Sequence, residues 1–229
     1  MKVAVMQPYI FPYIGYIQLV NYVDCFVLYD DATYIKGGYI NRNTILYDGK
    51  PKRFTLPVIS SSSNKKISEL RFSSNLHKPI ELIRHAYSRA PNLKNILKLV
   101  EDVLTAPDNS ITSVCEDGLN SVFRYLDLEV NILRASDLKY DRTQSAADKL
   151  LAISRILGAS NYVNSSGGKG LYDREYFSRN HCELSFLEMK PFQYQQGRSE
   201  FVPNLSIIDI LMWCDKTDVV KALENYEIC

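Results

Sequence analysis

The sequence has little charge imbalance and no long apolar run. Its 229 residues include 27 basic and 26 acidic side chains, so the formal net charge is only +1. Proteins that bind duplex nucleic acid normally carry a strongly basic face, and the charge balance therefore argues against that class. No apolar stretch approaches the roughly 20 residues that a transmembrane helix requires. We expect a protein without a membrane span and without a nucleic-acid partner.

Cysteine and histidine are sparse, and their spacing excludes further kinds of site. The five cysteines are scattered and form no C-x-x-C pair, which is typical of a reduced, cytoplasmic protein. The three histidines, His77, His85 and His181, lack the spacing of a metal site. Cys182 adjoins His181, but neighbouring residues on a strand face opposite ways. The sequence therefore predicts no metal, and it disfavours a Cys–His catalytic pair.

Hydrophobic patterning predicts an α/β fold. Residues 2–6 have the character of a buried strand, a helix of about ten residues follows from Tyr13, and residues 25–29 form a second strand. A strand–helix–strand unit of this kind pairs its strands in parallel. Further strands are predicted at 129–134, 161–164 and 184–187, and further helices at 143–157, 173–179, 206–214 and 217–226. We expect a Rossmann-like, mainly parallel sheet.

Two segments interrupt the strand–helix alternation. The β-rich runs 42–47 and 52–58 flank Asp48-Gly49-Lys50-Pro51, and Asp-Gly between such runs is a strong signal for a β-hairpin. Helical spacing of apolar residues predicts three helices, over 79–89, 93–105 and 110–126. We expect a single domain over residues 1–229, with residues 79–127 as a mainly helical insertion or cap.

Three polar clusters lie far apart in the chain, each at the edge of an apolar run. They are residues 7–16, 36–43 and 164–173. Open α/β sheets bind ligands in loops at the carboxyl ends of their strands. The clusters supply glycine amides, basic side chains, amides and tyrosines, which suit phosphates and hydroxyls. The sequence therefore favours a small polar substrate over a macromolecular partner.

The glycine-rich cluster and Arg42 are candidates for holding phosphate. Ser165-Ser166-Gly167-Gly168-Lys169 follows a predicted strand, although its spacing is neither a Walker A loop nor G-x-G-x-x-G. Arg42, with Lys36 upstream, offers a planar fork that grips phosphate or carboxylate at two points. An ordinary polar turn and a solvated strand start are the structural alternatives for these two segments.

Carboxylates and aromatic residues complete the candidates. Asp30 and Asp31 follow the second predicted strand, where a carboxylate binds a sugar hydroxyl, holds a metal, acts as a base, or simply caps a turn. Gln7 occupies the equivalent tip of the first strand, and Tyr9 follows it, so we expect both tips to point toward one crevice if the strands are parallel neighbours. Near the carboxyl end, Ser206 is a plausible helix cap with Asp209 three residues later, which explains that segment structurally. Tyr194 and Gln196 precede it and are candidates for a pocket wall, as is Tyr172 after the glycine-rich cluster.

Together these segments resemble the WbqC-like protein family. The chain has Tyr13 where that family usually has Trp, which leaves an aromatic ring in place. The matching residues span almost the entire chain in the expected order: Gln7-Pro8-Tyr9, Phe11-Pro12, Gly15-Tyr16, Asp24, Asp30, Lys36, Asn41-Arg42-Asn43, residues 165–172, Tyr194-x-Gln196 and Pro203-x-Leu205-Ser206-Ile207-x-Asp209.

The resemblance implies a role in the biosynthesis of surface polysaccharides of the O-antigen or lipopolysaccharide type. The implied activity is that of an N-acyltransferase or aminoacyltransferase acting on a nucleotide-linked amino sugar. The implied donor is an acyl or aminoacyl thioester, carried by coenzyme A or by an acyl or peptidyl carrier protein.

The candidate residues permit such a transfer. Arg42, Lys169 and the amides of Gly167 and Gly168 would hold the diphosphate, and loss of Arg42 or Lys169 should weaken binding of the sugar nucleotide. Asp30 or Asp31 would orient the sugar or take the proton from its amine. Candidates for stabilising the tetrahedral oxyanion are Asn41, Asn43 and Gln7. The remaining substrate-binding candidates are Tyr9, Lys36, Ser165, Tyr172, Tyr194 and Gln196.

Two alternative functions are compatible with the sequence. The opening strand–loop–helix–strand layout is shared with nucleotidylyltransferases, but Tyr13-Ile14-Gly15-Tyr16 stands where their loops have H-x-G-H, so both histidines are missing. The other alternative is a non-catalytic protein that binds a nucleotide sugar or serves as a scaffold for pathway enzymes.

Overall fold

The computed structural model describes residues 1–197 and 200–229, and its strands and helices alternate at both ends of the chain. The strands are β1 (Lys2–Met6), β2 (Cys25–Leu28), β3 (Arg42–Tyr47), β4 (Lys50–Thr55), β5 (Val58–Ile59), β6 (Arg71–Phe72), β7 (Ile132–Arg134), β8 (Asn161–Ser165), β9 (Glu183–Met189) and β10 (Tyr226–Ile228). The helices are α1 (Ile14–Tyr22), α2 (His77–Ala86), α3 (Leu93–Leu104), α4 (Ile111–Tyr125), α5 (Ala146–Ile156), α6 (Arg174–Arg179), α7 (Ile207–Trp213) and α8 (Lys216–Leu223).

Six strands form the central sheet in the order β7-β2-β1-β8-β9-β10. All neighbours are parallel except β10, which runs antiparallel to β9. This order is that of a doubly wound sheet, whose connections leave β1 and β8 toward opposite edges. The predicted Rossmann-like, mainly parallel fold is confirmed.

Each face of the sheet packs against its own hydrophobic core. Ala4, Phe26 and Leu28 belong to the first core, which contains α1, α2, α3, α4, α7 and α8. Val3 and Val5 belong to the second core, which contains α5 and Phe177 of α6. The two sets alternate along each strand because successive side chains of a strand point to opposite faces. Among the described residues, no helix is long and apolar enough to cross a membrane.

The hairpin is present, but its turn is shorter than the sequence pattern suggested. β3 and β4 pair antiparallel, and Tyr47 lies opposite Lys50, which leaves a two-residue turn at Asp48-Gly49. Both turn residues have positive φ, 48° and 71°, as a tight hairpin turn of this twist requires. Lys50 and Pro51 therefore belong to β4, and β4 ends at Thr55 rather than at 58.

Three short strands were not predicted from the sequence. β5 and β6 contain two residues each, and β10 contains three, at the end of a segment predicted to be helical up to residue 226. Strands this short carry too few side chains to show a periodic pattern. β10 exists because Tyr226, Glu227 and Ile228 pair with the edge of β9, which is a tertiary contact.

The helices α2, α3 and α4 correspond to the three helices predicted for this part of the chain, and they pack on the first core. The amide of Asn92, between α2 and α3, donates hydrogen bonds to the carbonyls of Leu211 and Cys214 at 3.0 and 2.8 Å. These bonds tie the segment to the end of α7. The division of the chain into one domain with an insertion at 79–127 stays a prediction.

Candidate functional site

Three tyrosine rings surround a cleft of about 270 Å³ beside the carboxyl end of β1. We call it the tyrosine cleft; it is lined by Tyr9, Pro12, Tyr13, Tyr39, Asn43 and Asn204. The ring centroids of Tyr9 and Tyr39 lie 5.9 Å apart, and Tyr9 packs on Tyr16 at 5.6 Å. The cleft therefore joins residues from the first polar cluster, the second polar cluster and the Pro203-Asn204 segment.

Asn43 holds the first two clusters together from beneath the cleft. Its buried side-chain amide donates to the carbonyl oxygens of Ile10 and Phe11 at 3.1 and 2.7 Å. Its Oδ1 accepts from the backbone N–H of Thr44 at 2.8 Å. Phe11 has a φ of 41°, a strained value for an aromatic residue, so the turn depends on these bonds to keep its shape.

The segment before α7 closes the cleft from the other side. The hydroxyl of Ser206 donates to the Phe11 carbonyl at 2.7 Å. The backbone N–H of Ser206 donates to Thr44 O, and that of Ile207 donates to Pro12 O, both at 2.8 Å. These contacts connect residues almost 200 positions apart in the chain and place Asn204 in the cleft wall.

The cleft presents polar groups with unused hydrogen-bonding capacity. Within the described part of the chain, the hydroxyls of Tyr9, Tyr13 and Tyr39 and the amide of Asn204 make no side-chain hydrogen bond. Burial raises the pKa of the Tyr9 and Tyr13 phenols, and the neighbouring phenols raise it further. These two hydroxyls are therefore neutral at physiological pH and can both donate and accept. Tyr39 is 58% exposed and forms the outer wall.

Arg42 and Lys36 lie on the segment that carries Tyr39. The guanidinium of Arg42 lies over Gly37, so that a Cβ at Gly37 would be 3.4 Å from Nη2, and Gly37 has a φ of 78°. Lys36 is exposed. Neither side chain has an ion-pair partner among residues 1–197 and 200–229. Arg42 does not line the tyrosine cleft, because its neighbour Asn43 on the same strand does and adjacent side chains face opposite ways.

The three amide side chains that we expected to stabilise an oxyanion, those of Asn41, Asn43 and Gln7, differ in whether the protein itself already uses them. The amide of Asn41 donates to the Leu56 carbonyl at 2.8 Å and is buried. Both N–H groups of the Asn43 amide are used by carbonyls of the first cluster. Gln7 is half-buried, and only its backbone carbonyl has a described side-chain partner, the hydroxyl of Tyr16 at 2.9 Å.

Asp30 is buried and its carboxylate is occupied by the protein's own donors. It accepts from the backbone N–H and the hydroxyl of Ser136 at 2.9 and 2.8 Å, and from the hydroxyl of Thr112 at 3.3 Å. These bonds join the end of β2 to α4 and to the turn after β7. The geometry accounts for Asp30 as a structural residue, and its catalytic role stays a prediction.

Asp31 lies on the side of the second core. Its Oδ2 pairs with Nε of Arg142 at 2.6 Å and accepts from the hydroxyl of Tyr140 at 2.7 Å. Only 3% of its side chain is exposed. Tyr140 packs on the second core, whereas Tyr9 and Tyr13 pack on the first. The structure thus separates Asp31 from the tyrosine cleft.

The glycine-rich cluster lies at the β8–β9 side of the sheet. Ser165 ends β8, and a Cβ on Gly168 would lie 2.6 Å from the side-chain nitrogen of Asn164, so only glycine fits there. Lys169 forms an ion pair with Glu188 of β9 at 2.5 Å. The Tyr172 ring packs on Phe177, 6.0 Å away, rather than facing the cleft. No described contact joins this cluster to Arg42. That the cluster and Arg42 bind the same diphosphate stays a prediction.

Tyr194 and Gln196 belong to a buried network around Asp209. Tyr194 and Tyr87 donate to the two oxygens of Asp209 at 2.6 and 2.7 Å, and the Gln196 amide donates to Tyr194 and to Val202 O. Asp209 is 0% exposed, and burial raises the pKa of its carboxyl despite these hydrogen bonds. The network anchors the start of α7, which in turn places Ser206 against the cleft.

Comparison with known proteins assigns the chain to a family. The model of the WbqC-like protein family matches residues 7–221. The chain belongs to the WbqC-like family. An uncharacterized protein of Mycobacterium tuberculosis is similar to it, with 24% identity over 215 residues that cover 92% of each chain. No solved structure matches it significantly.

Three polar residues of the cleft in this WbqC-like protein were not among the site candidates. They are Tyr13, Tyr39 and Asn204. Tyr13 and Tyr39 lie inside the polar clusters, where the density of tyrosines was a usable signal. Asn204 has a φ of 58° and follows Pro203 in a segment that helix capping already explained. No local sequence pattern therefore indicated Asn204 as a binding residue.

Proposed function

We propose that this WbqC-like protein binds a nucleotide-linked amino sugar in the tyrosine cleft and transfers an acyl or aminoacyl group to its amine during surface-polysaccharide biosynthesis. One observation carries the proposal. Segments that bear the family resemblance converge on one cleft, which three tyrosine rings and unpaired polar groups surround. The chemistry of the cleft supports a carbohydrate, and the pathway is the one that the resemblance to the family implies.

The cleft suits a single sugar ring. Aromatic faces pack against the apolar C–H faces of sugars, while the neutral phenols and Asn204 match sugar hydroxyls. Its volume of about 270 Å³ lies just below the range of about 300–1,000 Å³ that is usual for whole drug-sized ligands. The sugar would therefore fill the cleft, and the nucleotide would extend outside it.

Arg42 and Lys36 supply charge for the diphosphate outside the cleft. Both lie on the segment that carries Tyr39, and neither is neutralised by a partner within the described residues. Guanidinium groups bind phosphate through two parallel hydrogen bonds, and ammonium groups bind it as point charges. Gly37 lies against the guanidinium and has a φ of 78°, in the left-handed region that favours glycine.

The proposed reaction is aminolysis of a thioester. The sugar amine attacks the carbonyl carbon, a C–N bond forms, the C–S bond breaks, and the amine proton leaves with the thiol group. Gln7 retains its proposed role as oxyanion donor, because its side-chain amide has no partner among the described residues, whereas both N–H groups of Asn43 are used. The donor is a thioester of coenzyme A or of a carrier protein.

Calorimetric titration with nucleotide-linked amino sugars tests the binding step. Tyr39→Ala removes an exposed cleft wall, and we expect at least a tenfold loss of affinity, about 1.4 kcal/mol. Tyr176→Ala is the matched control, since Tyr176 is an exposed tyrosine outside the cleft. Equal affinity of the Tyr39 variant and the wild type would refute the cleft assignment. The same sugars without the amino group should bind but should not react.

Mass spectrometry of the sugar after incubation with acyl and aminoacyl thioesters tests the transfer step. The product must carry the added acyl mass on nitrogen, and Arg42→Ala should lower the rate of product formation through weaker substrate binding.

A second candidate function is a non-catalytic binder of the same sugar. It is favoured by the observation that Asp30 and Asn43 are occupied by the protein's own groups. Binding without product for every donor would select it.

A further inference from the structure

A second pocket lies next to the carboxyl end of β2, and it shares no lining residue with the tyrosine cleft. Its volume is about 350 Å³. We call it the basic pocket; its walls include Tyr29, Asp31, Lys66, Tyr140, Arg142 and Lys149. Tyr29 and Tyr140 pack against the second core, whereas the tyrosine cleft belongs to the first. The two sites are therefore separate, and a ligand in the basic pocket does not depend on the function proposed for the cleft.

Arg142 builds the basic pocket through its contacts with several parts of the chain. Besides its ion pair with Asp31, it donates to the carbonyls of Ala135 and Leu138, each at 3.1 Å. Its guanidinium also stacks on the Tyr140 ring, 4.6 Å from the centroid. The loop after β7 is thereby fixed against the end of β2, which gives the pocket a rigid wall.

Two lysines give the pocket its unbalanced charge. Lys66 lies before a short turn at Ile67–Glu69, and Lys149 lies on α5. Neither ammonium has an ion-pair partner within 4.0 Å in the part of the chain that the structure describes. Hydrogen bonds from Thr143 lower the pKa of the Asp141 carboxyl, and the nearby Lys149 lowers it further, yet Asp141 and Lys149 do not form a contact ion pair. Unpaired cations around a cavity favour an anion.

Asp31 gives a second reason to expect a ligand in the basic pocket. Its Oδ1 is buried and has no hydrogen-bond partner among the described residues, although Oδ2 has two. A buried carboxylate oxygen without a donor is costly, and such an atom points to a missing donor group. In doubly wound sheets, an acidic side chain after the second strand accepts from ribose hydroxyls.

We propose that the basic pocket binds a ribonucleotide. The phosphate lies between Lys66 and Lys149, and a ribose hydroxyl donates to Oδ1 of Asp31. One ligand then satisfies both the cations and the carboxylate oxygen that lack partners among the described residues. The volume falls within the range of about 300–1,000 Å³ typical of small-molecule sites.

Calorimetric titration of the full chain with AMP and UMP tests this site. We expect the Lys66→Ala, Lys149→Ala double variant to bind at least tenfold more weakly than the wild type. The matched control is Lys52→Ala, Lys94→Ala, which removes two exposed lysines outside the pocket and should leave the affinity unchanged. Equal affinity in the two double variants, or no binding of either nucleotide to the wild type, would overturn the proposal.

Two more titrations test where the nucleotide lies and which group its ribose contacts. A 2′,3′-dideoxynucleotide should bind several-fold more weakly than its ribonucleotide if Asp31 accepts from the ribose, and equal affinity would contradict that contact. Tyr39→Ala, which alters the tyrosine cleft, should leave AMP and UMP binding unchanged. Loss of nucleotide binding in the Tyr39 variant would show that the nucleotide occupies the cleft and not the basic pocket.

Discussion

Replacing Asn43 by alanine tests how the cleft is held together. Asn43 makes three side-chain hydrogen bonds: its amide donates to Ile10 O and Phe11 O, and its Oδ1 accepts from Thr44 N. The Asn43→Ala substitution removes all of them in a buried position without adding a bulky group. Among the described residues, the Phe11 carbonyl then keeps the hydroxyl of Ser206 as its side-chain partner.

The number of hydrogen bonds lost determines how far the free energy of unfolding should fall. A buried hydrogen bond contributes about 1 kcal/mol net, so the loss of three is expected to lower the free energy of unfolding by about 3 kcal/mol. Asn41→Ala is the matched control, because Asn41 is also a buried asparagine on the same segment but, among the described residues, makes a single side-chain bond, to Leu56 O. It should cost about 1 kcal/mol.

Urea unfolding at neutral pH, followed through the single tryptophan, measures both variants. The midpoint should fall further for Asn43→Ala than for Asn41→Ala, with an unchanged slope. Binding of the nucleotide-linked sugar should also weaken in Asn43→Ala, since the strained Phe11 turn shapes the cleft. Equal destabilisation of the two variants would refute the reasoning, because the number of hydrogen bonds would then not decide the cost.

Three further predictions concern other parts of the molecule. Arg142→Met leaves Asp31 buried without its cation and should destabilise the protein by about 3–5 kcal/mol in urea unfolding; a loss below about 1 kcal/mol would contradict the pairing. Burial raises the pKa of Asp209 above its unfolded value of 3.8, so the folded state binds the extra proton and the free energy of unfolding falls as pH rises from 3.8 through the folded pKa. Asp209→Asn should flatten that pH dependence, and an unchanged slope would refute it. Gly168→Ala meets Asn164 at 2.6 Å and should lower the melting temperature, whereas Gly170→Ala, where a side chain meets open space, should not.

Local sequence pattern was sufficient for most helices and core strands. β1, α1 and β2 have continuous apolar character within short segments, so neighbouring residues alone reveal them. Gly158, just after α5, has a φ of 67°, as the predicted helix terminus required. Because the connection between β1 and β2 is a helix, parallel pairing followed, and with it the Rossmann-like class.

Local pattern did not determine which polar groups face one another. Asp30 and Asp31 were expected to share a crevice with Gln7 and Tyr9, yet Asp30 bonds to Ser136 and Asp31 to Arg142. Those partners lie more than 100 residues away in the chain. A short motif carries no information about such distant donors, and they decide whether a carboxylate is available to a ligand.

The sequence by itself determined the fold class, the family resemblance and the segments that supply the tyrosine cleft. Only the tertiary structure decided that Tyr39 and Asn204 join Tyr9 there, while Lys169 pairs with Glu188 elsewhere. The physical reason is that helices and strands arise from interactions between near neighbours. A binding site arises from side chains that the packing of the sheet and its helices brings together from distant parts of the chain.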